Sequence, residues 1–78
     1  MSQKTDVLNY MRDNDVITQR EADRDLGVSR LSARIYDIEK DGIPIFTRLV
    51  PVRNRRGEKR YVMQYSLKKF EEEEKNER

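Results

Sequence analysis

With 78 residues, 41% of them charged and 35% apolar, the chain has room for one domain around a small core. It contains no cysteine and no histidine, which excludes disulfides and thiolate metal sites and removes the commonest general base and metal ligand. The net charge of +2 hides a segregation. Residues 1–41 carry seven Lys/Arg against nine Asp/Glu (−2), residues 42–69 eight against one (+7), and residues 70–78 two against five (−3).

The first stretch, SQKTDVLNYMRDND, places Val7, Leu8 and Met11 on one side and predicts a helix over about residues 3 to 13, ended by the polar cluster at 13 to 15. Val16 and Ile17 lead into TQRE, a capping-box pattern. Thr18 can accept from the N–H near Glu21, and Glu21 can reach back to the Thr18 N–H. A short second helix follows to about Leu26, with Ala22 and Leu26 facing inward. In GVS, Gly27 suits a left-handed helix end, Val28 can plug the angle, and Ser29 is positioned to cap the next helix. That third helix, from about Arg30 to Asp41, buries Leu31, Ile35 and Ile38 and stops at Gly42. A short helix, a tight Gly-containing turn and a longer helix are the sequence form of helix-turn-helix; a generic three-helix bundle is the competing reading.

After Gly42 the periodicity changes from helix to strand. IPIFTRLVPVRN is rich in β-branched and aromatic residues, RRGE supplies a turn, and KRYVMQYSL alternates. The alternation puts Tyr61, Met63, Tyr65 and Leu67 on one face, predicted to pack on the helices, and Arg60, Val62, Gln64 and Ser66 on the other. In the first strand Ile43 and Ile45 share one parity and Val50 and Val52 the opposite one. That mismatch predicts a bend or bulge near Thr47–Leu49, and Pro44 and Pro51 suit edge positions. The final KKFEEEEKNER has only Phe70 as an anchor. Its four consecutive glutamates repel one another, so residues 1–69 are expected to form the domain and 70–78 an acidic, disordered tail. Solubilisation, or competition with nucleic acid for the basic hairpin, would use that acidity. No apolar run can span a bilayer, and the polar N-terminus is unlike a signal peptide; no membrane association and a cytoplasmic location are expected.

Three helices followed by a basic hairpin resemble the winged helix-turn-helix superfamily, an α+β fold. Its pattern of apolar, acidic, basic, any residue, glycine, apolar at the end of the recognition helix is met by Ile38, Glu39, Lys40, Asp41, Gly42 and Ile43. More closely, ITQREADRDLGVSRLSARIYDIEKDGIPI, then NRRGEK and YSL, resemble small bacteriophage and prophage helix-turn-helix proteins over about residues 4 to 68. The resemblance implies three helices followed by a two-stranded β-hairpin wing, double-stranded DNA as partner, and no cofactor or metal. It further implies the cytoplasm of a bacterial or phage-infected cell, and a transcriptional regulator or an excisionase-like accessory factor. Monomer, homodimer and cooperative assembly on DNA are all compatible with it.

On that reading the third helix enters the major groove, and its N-terminal residues reach base edges first. Ser29 and Arg30 are best placed. Arg30 has the fork geometry for guanine O6 and N7, Ser32 can donate or accept, and Ala33 admits close approach or a thymine methyl. Arg34 lies on the flank, where pairing with Asp37 three residues on is the equal alternative. Tyr36 would reach a phosphate or sugar one turn further along. In the tip RNRRGEKR, Arg53, Arg55, Arg56, Lys59 and Arg60 suit the minor groove or phosphates; protection of a strand edge is the plainer alternative. An enzyme is not expected without His or Cys in so small a domain. A winged helix docking on a partner protein, which exposed aromatics at Tyr36, Tyr10 and Phe46 would favour, is the main competitor. RNA binding lacks a ladder of aromatics for stacking bases.

Overall fold

The computed structural model describes residues 2–70. In chain order these form α1 (Gln3–Asn14), β1 (Val16–Ile17), α2 (Gln19–Glu21) running on into a π-helical segment (Ala22–Leu26), α3 (Leu31–Lys40), β2 (Phe46–Arg53) and β3 (Lys59–Ser66). The architecture is α+β, with helices followed by an antiparallel hairpin, as the winged helix-turn-helix resemblance implies. Among the described residues no helix is long and apolar enough to cross a membrane. Of the expected tail, 70–78, Phe70 is described, with its ring 4.2 Å from the Arg48 guanidinium carbon, and residues 71–78 lie outside the described residues.

α1 begins where Ser2 Oγ accepts from Thr5 N–H at 3.1 Å, and it ends at Asp15, whose φ of +74° turns the chain. The capping box forms as the TQRE pattern predicts: Thr18 N–H donates to Glu21 Oε1 at 3.0 Å and Glu21 N–H to Thr18 Oγ1 at 3.3 Å. The helix it starts widens into the π-helical segment and stops at Gly27, where φ is +69°. That left-handed conformation is cheap only for glycine. It sends Val28 inward, with Val28 N–H bonded to Ala22 O at 3.0 Å and the side chain fully buried. Val7 and Met11 of α1, Ile17, Ala22, Val28, and Leu31, Ile35 and Ile38 of α3 close into one core. Each large aliphatic buried there contributes about 1.5–3 kcal/mol.

Three expectations about local structure are corrected. Ser29 does not cap α3. Arg30 occupies the N-cap position without a side-chain cap bond, and Leu31 N–H instead donates to Gln19 Oε1 at 2.9 Å. There is no bulge near Thr47–Leu49, because the register runs unbroken from Phe46 opposite Ser66 to Arg53 opposite Lys59. Ile43 and Ile45 precede β2, so they reach the core from a loop and owe nothing to the strand's parity. The face of Tyr61, Met63 and Tyr65 is not uniformly packed. Tyr65 and Leu67 meet the core, whereas Tyr61 and Met63 stand 60% and 37% exposed, beyond the reach of the small helical layer.

β1, which no sequence pattern announced, adds a third strand. Val16 pairs with Ser66 and Ile17 with Tyr65, giving the order β1-β3-β2 with β3 central. An isolated two-stranded hairpin is marginal in water, and this short addition ties the wing to the helices. β2 is an edge strand, the kind of position where a proline such as Pro51 is tolerated. The buried Ser66 hydroxyl donates to Asp15 O at 2.8 Å and locks the base of the wing to the end of α1.

Candidate nucleic-acid interface

The start of α3 is positioned by the element before it. Gln19, in the first turn of α2, donates its amide to Val28 O at 2.9 Å and accepts from Leu31 N–H. One carboxamide thus satisfies a turn carbonyl and an orphan donor at the N-terminus of α3. With Leu31 held inward, Ser29, Arg30 and Ser32 are exposed, while Ala33 is half-buried. The Arg30 side chain makes no hydrogen bond or ion pair among the described residues. Farther along, Tyr36 is 61% exposed, and the Lys40 ammonium lies 5.6 Å from its ring centroid. Tyr10 and Phe46 are half-buried.

Arg34 behaves differently. Its guanidinium pairs with Asp37, Nη2 to Oδ2 at 3.0 Å, and Nη1 donates to Gln3 Oε1 at 3.3 Å. Together with the Lys4–Asp41 ion pair at 2.6 Å, this ties the start of α1 to the side and end of α3. Of the two arginines at the start of α3, one is engaged inside the molecule and the other is offered outward.

The wing tip is a built turn. Gly57 N–H donates to Asn54 O and Asn54 N–H to Glu58 O, both at 3.0 Å, and Gly57 has φ +83°. This matches a tight turn closed by a left-handed residue. Asn54 Oδ1 accepts from the N–H groups of Arg56 and Glu58 at 2.9 and 3.0 Å, so the asparagine organises the loop. Arg53 Nη1 donates to Gly57 O at 2.6 Å, and Arg55, Arg56, Lys59 and Arg60 are exposed. A preordered tip presents these cations with less conformational entropy to lose on binding.

Between the helices and the wing lies a groove of about 760 Å³, with Leu31, Val50, Val62 and Met63 among its apolar lining. It brings Ser32 from α3 and Arg53 from the wing to one concave surface, with Arg20 and Arg24 beside them. Sequence reasoning missed Gln19 and Arg20. The capping box marked their helix start, but nothing local signalled that Gln19 reaches residue 31 or that Arg20 faces the wing. Asn54 was legible only as a turn former. Arg24 is bonded to the Asp25 carboxylate at 2.7 and 3.0 Å, and Tyr10 OH donates to the same carboxylate at 2.9 Å. The Arg24 bond first and the Tyr10 bond second lower the Asp25 pKa to about 2, while the hydrogen bond to Asp25 raises that of Tyr10. Among the described residues no group of three or more acidic side chains could hold a metal ion.

Neither curated proteins nor solved structures yielded a match to this sequence. The pattern of the family described as winged helix-turn-helix domain matches residues 2–70, from the cap of α1 to the phenylalanine beyond β3. With the helical order, the turn at Gly27 and the hairpin that follows α3, that match settles the family: this chain belongs to the winged helix-turn-helix domain family.

Proposed function

We propose that the protein binds double-stranded DNA sequence-specifically, with α3 in the major groove and the wing against the minor groove or phosphates. Family membership points to DNA binding in general. The observation that carries the more specific reading is Arg30, exposed at the first turn of α3 and without a side-chain partner among the described residues. An arginine there can read guanine with two parallel hydrogen bonds. Ser29, Ser32 and Ala33 line the same end of the helix, and Tyr36 sits where a phosphate or sugar would follow. Arg34 contributes to this reading by holding α3 against α1. Arg53, Arg55, Arg56, Lys59 and Arg60 supply the cationic wing. The biological setting that suits so small a domain is a phage-type regulator or recombination accessory factor in the cytoplasm, acting as a monomer or in a homodimeric or cooperative assembly on DNA. No catalysis is assigned to it.

Selection of bound duplexes from a random library tests this reading. A reproducible motif supports it, and its symmetry reports stoichiometry; recovery of unenriched sequence at every salt concentration overturns it. One observation favours docking on a protein instead. Leu49 and Tyr61 are 58% and 60% exposed, and the register places them with Pro51 and Met63 on one face of the wing. A steep decline of duplex affinity with salt separates the two, because only contacts to several phosphates produce it.

A further inference from the structure

β3 is paired unevenly along its two sides. Toward β2 it has partners over its full length, from Lys59 to Ser66. Toward β1 only Ser66 and Tyr65 have them, because β1 ends at Ile17. Thr18 keeps an extended backbone, with φ −116° and ψ 166°, but its side chain caps α2 and the chain leaves the sheet there. Among the described residues no other strand or turn bonds the β1 side of Lys59–Gln64. On such an edge every second residue holds its N–H and C=O out for a further strand.

The groove between the helices and the wing opens on this edge. Val62, Met63, Gln64 and Tyr65 line it in succession. A sheet face presents alternate residues, and only an edge presents consecutive ones. Across the groove stand Thr18, Gln19, Arg20 and Glu21, so the gap continues the line that β1 abandons. The register fixes what an added strand would meet. A side chain opposite Val62 would share a face with Val62 and Val50, and side chains opposite Met63 and Tyr61 would lie beside those exposed residues on the other face. Opposite Arg60 and Lys59 the added strand would meet two exposed cations. Arg20 and Arg53 also line the groove, whereas the Glu21 carboxylate is taken by its own capping box.

We propose that the β1 side of β3 takes up an extended peptide segment of a partner protein as an additional strand, antiparallel to β3. The segment is apolar opposite Met63, Val62 and Tyr61 and acidic opposite Arg60 and Lys59. Main-chain bonds to the edge hold it, and the order of its side chains fixes its direction. No stretch of this chain reads three apolar residues followed by two acidic ones, so the segment comes from a different protein. Strand addition does not depend on the DNA-binding reading above. The competing account is that Lys59 and Arg60 only keep the edge from pairing.

Selection of a displayed library of random hexapeptides against the full-length chain tests the proposal. The expected result is enrichment of three apolar positions followed, in the N-to-C direction, by two acidic ones. In a synthetic copy of an enriched peptide, methylating the backbone nitrogens of alternate residues should weaken binding about tenfold or more in one phase and hardly at all in the other, because only one phase faces β3. Bound peptide should slow hydrogen exchange at those amides of Lys59–Gln64 that do not face β2. Lys59→Glu with Arg60→Glu, both at exposed positions, should change the last two enriched positions from acidic to basic. Equal losses from both methylation phases, or exchange protection that leaves Lys59–Gln64 untouched, overturn strand addition. Enriched peptides whose charge ignores the double replacement overturn the stated chemistry of the partner. Absence of any enriched order overturns the proposal and leaves Lys59 and Arg60 as guards of the edge.

Discussion

Gln19 and Leu31, twelve residues apart, are joined by a 2.9 Å hydrogen bond from the Leu31 N–H to the Gln19 carboxamide oxygen. The helix at the centre of the candidate interface is thus capped by the helix before it and not by its own flanking serine. The other end of the same carboxamide holds Val28 O, so one side chain bridges the turn between α2 and α3 beside Gly27 and the buried Val28.

Gln19→Ala is expected to destabilise the fold by about 1–2 kcal/mol, the usual cost of a missing cap with a turn carbonyl left unpaired. Urea unfolding measures it. Gln19→Glu keeps an acceptor for Leu31 N–H but removes the donor to Val28 O, so it should destabilise less. Equal stability of Gln19→Ala and the unmodified chain would show that water replaces the bridge.

Arg30→Ala should weaken binding to the selected site by about 1–3 kcal/mol, the worth of a bidentate base contact, and leave binding to random duplex nearly unchanged. Arg34→Ala should instead show its effect in thermal unfolding, and a small one, because exposed ion pairs contribute under about 1 kcal/mol. Equal losses for Arg30→Ala on specific and random duplexes would assign Arg30 to phosphate.

Replacing Arg53, Arg55 and Arg56 together with Ala should cost little stability, since the turn is held by Asn54 and Gly57. The slope of log affinity against log salt should become shallower by about 0.9 for each phosphate that the wing no longer neutralises. A folded variant with unchanged slope and affinity would remove the wing from the DNA interface and favour protein docking through the exposed Leu49–Tyr61 face.

The Asp25 cluster predicts a pH dependence with a definite sign. The carboxyl titrates near 2 in the folded chain, below the roughly 3.9 of an unfolded aspartate. Its contribution is therefore complete above about pH 4 and lost as pH falls toward 2. Asp25→Asn should flatten the acid limb of the stability profile in that window. The Tyr10 phenol, raised chiefly by its bond to Asp25, should return toward its ordinary value in the same variant. NMR titration reads both; a Tyr10 pKa unmoved by the substitution would refute the coupling.

Local patterns in the sequence determined most of the elements. Helical spacing of Val7, Leu8 and Met11, and of Leu31, Ile35 and Ile38, gave α1 and α3 because one buried stripe per helix is a periodic signal. The Thr18–Glu21 box and Gly27 marked the ends of the second helix because caps and left-handed turns are made by neighbours. Arg55, Arg56 and Gly57 announced the wing tip for the same reason. What depends on distant partners was decided only by the tertiary structure. β1 exists because β3 offers Ser66 and Tyr65 to a two-residue segment too short to carry a pattern of its own. The unbroken register of β2 arises because Ile43 and Ile45 fill the core from outside the strand, which parity cannot disclose. The Arg34–Asp37 pair was legible as an alternative from its three-residue spacing, whereas the bond of Arg34 to Gln3, brought beside α3 by the packing of α1, was not. Tyr61 and Tyr65 share a face by alternation, but the helical layer is small and covers the wing only near its base, leaving Tyr61 in solvent.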